Sequence, residues 1–502
     1  MNPRLQEAAR LYTARDYPGA EAACRGVLGE APGDFDALHL LGVVLTLQDR
    51  PAEAVPFLRD AAAIGAGNGL VVVNLGNALL ALEQYEALLA LPVAGNADGL
   101  NNLGLAYRGL GRHDAAAGAF RQAVAARWDH AGGWFNLAGS LLKLGRLEDA
   151  LHASTRALRV APLDTPVQRL ADSVNETGRI LLALGRPLDA LARWRDFLNN
   201  YPGQISVVWN MSLCLLLLGR FEEGWRAYEC RFEVPGHDGR PAGAAVLDPA
   251  QIAGKRVLIL TEQGRGDMLQ FIRYAPLLAA RGATVLVEAY PDLMALVAAM
   301  PCVSMVTGTG DPRPEADLAT PAMSLPLAFG YHPANIPYLG VPAGRTVRLE
   351  PSIRPRVGVA WSGSVHSRER SALPAEALAP LLALPGFTFH CLQTEIAEPD
   401  RAWLRSVQLD IALHEGELRD FADTAALIAA MDIVVSIDTA VAHLAGAMGK
   451  PLLLMLAFNP DWRWMLGRSD SPWYPTARLY RQPAPGAWGP VVEAVIADLP
   501  KG

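Results

Sequence analysis

A register of small and apolar residues that recurs every 34 positions decides what the first half of this chain can become. Leu103-Gly104, with Tyr107, Gly111, Ala116, Phe120 and Ala123, sets the pattern. Trp134, Leu137, Ala138, Leu141, Gly145, Ala150 and Ala157 repeat it and close at Pro162. Leu38, Leu41, Gly42, Leu45, Ala54 and Ala61 hold the same places in an earlier copy, and a weaker copy runs from Met1 to Pro32. Around Leu75-Gly76 the copy is shortened, since Gly76 and Gly104 lie 28 residues apart. From Ala138 the spacing stretches to 40 at Gly178 and returns to 34 at Ser212. Seven units result, starting near residues 1, 35, 69, 97, 131, 171 and 205. A unit this short cannot bury an apolar face alone, whereas stacked helix pairs share a continuous core. Residues 1–234 are therefore expected to form an α-solenoid with a concave groove.

The register is similar to that of the tetratricopeptide repeat, W-x2-L-G-x2-Y followed by small residues. Solenoids of this type most often bind protein, so a polypeptide partner is the leading inference. Asn74, Asn77, Asn101, Asn102 and Asn136 lie on first helices beside the pattern positions. They are read as acceptor-binding candidates that hydrogen-bond the backbone of an extended peptide. The competing reading is solvated helix surface or bonding between repeats. The array closes with Phe221 to Phe232, whose aromatic content predicts a helix docked on the next domain. Glycine- and proline-rich residues 235–254 read as a linker.

From Lys255 apolar runs alternate with helical stretches. Strands are expected at Val257–Leu260, Thr284–Glu288, Val303–Thr307, Val357–Trp361, Thr388–Leu392, Ile433–Ile437 and Leu452–Leu456. That alternation indicates doubly wound α/β units. A proline-rich stretch from Pro333 to Pro355 divides them into lobes 255–350 and 351–502. Ligands in such sheets sit beyond the carboxyl ends of the strands.

Composition narrows the class. With 51% hydrophobic and 19% charged residues the chain is expected to pack densely, and its net charge of −7 leaves no overall basic footprint for nucleic acid or membrane. No apolar run reaches the ~18 residues of a membrane span. Met1 to Glu7 lacks an apolar signal core. Cys24, Cys214, Cys230, Cys302 and Cys391 are scattered without C-x-x-C spacing, so neither a disulfide framework nor a zinc site is expected. The expected compartment is a reducing cytoplasm.

Two segments share one design. The strand run Ile433–Ile437 stops at Asp438-Thr439, and an Ala- and Gly-rich helical stretch carrying His443 follows. Arg256–Leu260 is likewise followed by Thr261-Glu262-Gln263-Gly264-Arg265-Gly266-Asp267 and then an amphipathic helix. Glycines at such a corner permit close approach of a ligand, and a helix N-terminus suits phosphate. Asp267, Asp438 and Thr439 also read as ordinary helix caps, a role compatible with ligand contact.

The stretches VLILTEQGRGDMLQFIRYAPLLAARGA, VGVAWSGSVHSRERSALP and VVSIDTAVAHLAGAMGKP occur in that order. Together they resemble glycosyltransferase family 9, whose best-known members are the ADP-heptose:lipopolysaccharide heptosyltransferases. They resemble most its bacterial branch with tetratricopeptide repeats in front. The resemblance implies a two-lobed GT-B fold and metal-independent transfer with inversion, so no metal or other cofactor is expected. It also implies a nucleotide-sugar donor held mostly by the second lobe. It puts Asp267 in the role of general base, with Glu262, Asp438 and His366 as spare candidates. Nucleotide-sugar contacts are expected from Gly264, Gly266, Ser362, Gly363, Ser364, Arg368, Arg370, Gln393, Glu395, Asp438, Thr439 and His443. Arg368 or Arg370 supplies the cation for the pyrophosphate, and Glu395 accepts from ribose hydroxyls. The stretch His366-Ser367-Arg368-Glu369-Arg370-Ser371 departs from the Asn-Asp-Arg-x-Arg-Ser pattern of the fused relatives. Asp461-Trp462-Arg463-Trp464 and Trp473-Tyr474 read as packing aromatics or sugar platforms.

Three functions follow. The first is an inverting glycosyltransferase whose array recruits a protein acceptor, flagellin or another surface protein. The second is an enzyme of the same fold acting on a lipid-linked or saccharide acceptor, and the third is an inactive repeat scaffold.

Overall fold

The computed structural model describes residues 2–65, 67–93, 95–236, 239–331, 336–363, 373–407 and 409–500. Its front part is a run of helix pairs: α1 (Pro3–Thr13) with α2 (Tyr17–Glu30), α3 (Phe35–Leu47) with α4 (Pro51–Ile64), and α5 (Gly69–Ala81) with α6 (Tyr85–Leu89). There follow α7 (Ala97–Gly109) with α8 (His113–Ala126), α9 (Ala131–Lys143) with α10 (Leu147–Val160), α11 (Val167–Ala183) with α12 (Pro187–Asn200), and α13 (Ile205–Leu217) with α14 (Phe221–Tyr228). The short spacing in the third unit is taken up by α6, only 5 residues long, and the long spacing ahead of Gly178 by α11, which has 17.

Side-chain caps start several of the first helices of these pairs. Asp34 accepts from the Ala37 amide, Asn68 from Leu70 and Val71, and Asn96 from Asp98 and Gly99. The repeated Leu-Gly pair has a steric cause: a Cβ at Gly104 would lie 2.4 Å from the Phe120 ring, so only hydrogen lets α7 meet α8. Gly111 turns the chain between them at φ 71°.

The second part holds two parallel sheets. In the first the strand order is β3 (Val303–Gly308), β2 (Thr284–Ala289), β1 (Arg256–Leu260), β4 (Leu318–Pro321). In the second it is β10 (Ala477–Arg481), β9 (Leu452–Leu456), β8 (Ile433–Ile437), β5 (Arg356–Ala360), β6 (Thr388–Cys391), β7 (Ile411–Ala412). All seven expected strands form. β8 and β9 are buried throughout, as apolar runs in a parallel sheet must be.

Two boundaries differ from the expectation. The compact units divide between Val207 and Val208, inside α13, and not at residue 234. The physical reason is the aromatic content of α14: Trp225 and Tyr228 share one apolar core with β1, β2 and the inner face of the second sheet. Residues 235–254, expected as a linker, are also partly tied down. Ala244 bridges Ala319 of β4, the Ala245 amide donates to the Ala319 carbonyl at 3.0 Å, and Ile252 is fully buried. Among the described residues no helix is long and apolar enough to cross a membrane, and all five cysteines are free thiols.

Candidate active site

The first corner begins where β1 ends. Glu262, a spare base candidate, accepts from Arg231 Nε at 2.8 Å and from the Met323 amide at 2.7 Å, which ties the loop to its neighbours. Gln263 takes the left-handed region at φ 59°, and its Nε2 donates to the Tyr228 hydroxyl at 2.7 Å. The chain then enters the helix Arg265–Phe271, whose third residue is Asp267. One carboxylate oxygen of Asp267 accepts from the Gly264 amide at 2.7 Å, closing the helix start.

The second corner follows β8. Thr439 stands at the N-cap of the helix Ala440–Ala447 without a side-chain bond to its amides; its hydroxyl lies 3.3 Å from that of Ser436. His443 is buried on this helix, its Nδ1 2.9 Å from the Tyr474 hydroxyl and its Nε2 3.7 Å from Asp438 Oδ1. The two corners meet at Gly266, where a Cβ would lie 2.8 Å from the His443 ring. Gly266, expected to admit a nucleotide sugar, instead admits the opposite helix.

Arg463 stands between the corners, 7% exposed. It forms an ion pair with Asp267, donates to Asp461 Oδ1 at 2.7 Å and to Gln270 Oε1 at 2.7 Å, and lies 4.2 Å over the Trp462 ring. Burial raises the pKa of Asp267 above the ordinary carboxylate value, and Arg463 opposes that rise without cancelling it. Asp438 is also raised, to about 7, first by burial and then by Asp461. His443 is held well below the ordinary imidazole value by burial and by the charges of Arg463 and Arg273, so it is neutral. The result is a basic carboxylate at one corner, a proton-retaining one at the other, and a fixed cation between them.

A cleft of about 670 Å³ opens at the carboxyl ends of both sheets. Ser362, Gly363, Gln393, Glu395 and Thr439 line it, opposite Arg265 and Asp292. Glu395 is exposed there. Gln393 does something else: its Oε1 accepts from the Trp361 and Ser362 amides at 2.7 and 3.0 Å, so its amide shapes the turn after β5. Ser364, His366, Arg368 and Arg370 lie outside the described residues. Trp462, Trp464, Trp473 and Tyr474 are buried, which makes them packing groups and not open sugar platforms.

In the array the asparagines bond to neighbouring repeats. Asn102 Nδ2 donates to Asn77 Oδ1 at 2.8 Å and to the Val73 carbonyl at 3.2 Å, and Asn136 Nδ2 donates to Asn101 Oδ1 at 2.9 Å. Asn74 sits 2.7 Å from His39 Nε2. Asn77, Asn101, Asn102 and Asn136 nevertheless line a groove cavity of about 980 Å³; Asn74 is not among its lining residues. The groove also holds groups the sequence reading missed. His130 caps α9 through Nδ1 at 2.6 Å from the Gly133 amide, and its Nε2 lies 3.0 Å from Asp98, which also pairs with Arg127 at 2.8 Å. Burial raises the Asp98 pKa, but Arg127 and His130 outweigh it and leave it below the ordinary value.

Arg463, Asp461, Arg231 and Tyr228 were also missed. A signal existed: charges embedded among tryptophans cannot be left unpaired.

The family model described as "Glycosyltransferase family 9 (heptosyltransferase)" matches residues 416–461, the stretch carrying β8, Asp438, Thr439, His443 and Asp461. A tetratricopeptide-repeat model matches residues 5–69 and 67–131. Protein FlbA of Caulobacter vibrioides is 27% identical over 542 aligned residues, covering 99% of this chain and 89% of that protein. Among solved structures, Pseudomonas aeruginosa PilF aligns at 19% identity over 41% of this chain and 93% of its own, with a TM-score of 0.34. A tetratricopeptide-repeat protein from Parabacteroides merdae aligns at 15% over 47% and 93%, with a TM-score of 0.36.

Proposed function

We propose that this chain, in which tetratricopeptide repeats are joined to a family 9 glycosyltransferase domain, transfers a sugar with inversion from a nucleotide sugar to a protein acceptor held by the repeats. The observation that carries the reading is the pair of corners: Asp267, with its raised pKa, faces the helix start at Asp438-Thr439 across Gly266. Asp267 takes the proton of the acceptor hydroxyl as that oxygen attacks the anomeric carbon. The bond from that carbon to the diphosphate breaks on the opposite face, and the electron pair leaves with the phosphate. A raised pKa makes Asp267 the stronger base, a contribution of ~10²–10⁴-fold. The unbonded amides opening the helix Ala440–Ala447 supply dipoles for the leaving group, and Arg368 and Arg370 supply charge. Glu395 binds the ribose. The mechanism is metal-independent in this reading, with Arg463, paired to Asp267 and Asp461, as a fixed positive charge beside the base.

The acceptor is flagellin or another surface protein, modified in the cytoplasm before export. Groove groups around Asn77, Asn101, Asn136 and Arg127 hold it. Tethering raises its local concentration to about the millimolar range.

Thermal-shift titration with UDP-, GDP-, ADP-, dTDP- and CMP-sugars tests the donor site, since a ligand at ~100 times its Kd stabilises by about 2.7 kcal/mol. Asp267→Asn is expected to keep that shift while transfer falls by at least ~10²-fold. Turnover within a few-fold of wild type would reduce Asp267 to a helix cap.

A further inference from the structure

The residues that hold the loop carrying Asp267 come from an unexpected place, the last repeat. Arg231, at 1% exposure, is the hub. Its Nε and Nη2 donate to both oxygens of Glu262 at 2.8 and 3.1 Å, its Nη1 to Glu229 at 2.7 Å, and its Nη2 also to Ser324 at 2.8 Å. One residue further along the loop, Gln263 is held from two sides. Its side chain reaches the Tyr228 hydroxyl at 2.7 Å, and its carbonyl accepts from the Tyr290 hydroxyl. Gln263 adopts φ 59°, which a residue with a Cβ holds only when its surroundings impose it. The next residue is Gly264, whose amide binds Asp267. A second chain of contacts arrives from the same helix. Trp225 packs edge-on against Phe271 at 5.5 Å and Trp462 at 5.2 Å, and Trp462 lies beneath Arg463, the partner of Asp267.

We infer that α14 and the turn Glu229–Glu233 are a working part of the transferase, with Tyr228 and Arg231 as positioning residues that set the orientation of Asp267. The inference rests on the reading of Asp267 as general base. A repeat helix that only ended the array needs neither a buried arginine that grips both oxygens of Glu262 nor a buried tyrosine hydroxyl that meets Gln263. An isolated buried guanidinium is too costly to retain without such partners. The geometry gives it one consequence: consecutive loop residues 262 and 263 cannot shift without breaking bonds to this helix.

Two measurements on the full-length protein test this. Tyr228→Phe removes one hydroxyl and leaves the ring packed. Hydrogen–deuterium exchange of the peptide spanning residues 262–268 is expected to accelerate about ten-fold or more, with the exchange of β8 and β9 unchanged. Nucleotide release from the member of the UDP-, GDP-, ADP-, dTDP- and CMP-sugar panel that the protein turns over is expected to lose kcat, by up to ~10²-fold for a displacement near 1 Å, at unchanged KM. The acid limb of its pH profile is expected to move with it. Arg231→Lys, which keeps charge but not the fork, is expected to restore Tm without restoring kcat, in contrast to Arg231→Met. Exchange of residues 262–268 unaltered in Tyr228→Phe overturns the inference, as does unaltered kcat with an unaltered pH profile. If Asp267→Asn still turns over, both this inference and the base reading fall. If Asp267→Asn is inactive while Tyr228→Phe behaves as wild type, only this inference falls.

Discussion

Polar side chains in the array and in the α/β unit are satisfied in opposite ways. Along the first helices of the repeats, neutral amides answer one another: Asn102 meets Asn77 and Asn136 meets Asn101, each across one repeat boundary. Between the two strand corners, Asp267 and Asp461 converge on a single guanidinium, and their charges reach Asp438. An amide pair has no charge to lose and works at any pH, so it sets spacing. A crowded carboxylate group has too little countercharge, so protons are retained and reactivity is concentrated there.

The comparison breaks most visibly at the boundary between the two regions. A chain beginning at residue 205 keeps α14 and is expected to unfold in one cooperative urea transition. A chain beginning at 255 lacks Trp225, Tyr228 and Arg231, all at most 2% exposed. Losing a buried Trp alone costs about 3–5 kcal/mol and stranding Glu262 adds to it, so no cooperative transition is expected by circular dichroism. A cooperative 255–502 fragment would return the boundary to the linker.

Next in size is Arg463→Met, which strands Asp267 and Asp461. Loss of about 3–5 kcal/mol is expected at neutral pH by urea denaturation. The deficit should shrink as pH falls, because a protonated Asp267 no longer needs the cation. An equal deficit at pH 4 and pH 8 would mean that the loss is packing alone.

Asp438→Asn sharpens the electrostatic half. The folded-state pKa of Asp438 is raised, so the folded protein binds the extra proton and is favoured at low pH. That contribution is lost as pH rises from the unfolded value near 3.8 through the higher folded one. The variant, always neutral, is expected to show a smaller decline of Tm over this window, with a gain over wild type at its upper end. A variant curve parallel to wild type removes Asp438 from the titrating set.

The smallest effect belongs to the array. Asn102→Ala deletes two hydrogen bonds and is expected to cost about 1 kcal/mol, with no dependence on pH. A pH-dependent loss would show that the ladder is coupled to Asp98 and its cation partners.

How much of this was legible in the chain itself depends on the distance over which each choice is made. The helix pairs, including the truncated α6 and the extended α11, follow from a local register. Strands β8 and β9 follow from uninterrupted apolar runs. The short edge strands β4, β7 and β10 carry no such run and went unread; β7 has only two residues. Asp267, Asp438 and Thr439 were legible as candidates because each follows a strand end, and the structure brings their two corners together at Gly266. Arg463 was passed over: a charge among tryptophans calls for a partner, but that partner, Asp267, lies 196 residues earlier and the register does not name it. The asparagines were found by position, but their partners depend on the offset between repeats, which a register does not state.

Gly266 carries a consequence for how this domain can vary. A methyl group at that position would sit 2.8 Å from the His443 ring. The strand corner of the first lobe and that of the second are thus separated by the thickness of one hydrogen atom. A larger residue at 266 would require the His443 ring, bonded to Tyr474, to give way. Two regions that read as independent modules along the chain share a single tolerance, as two machined faces share a shim.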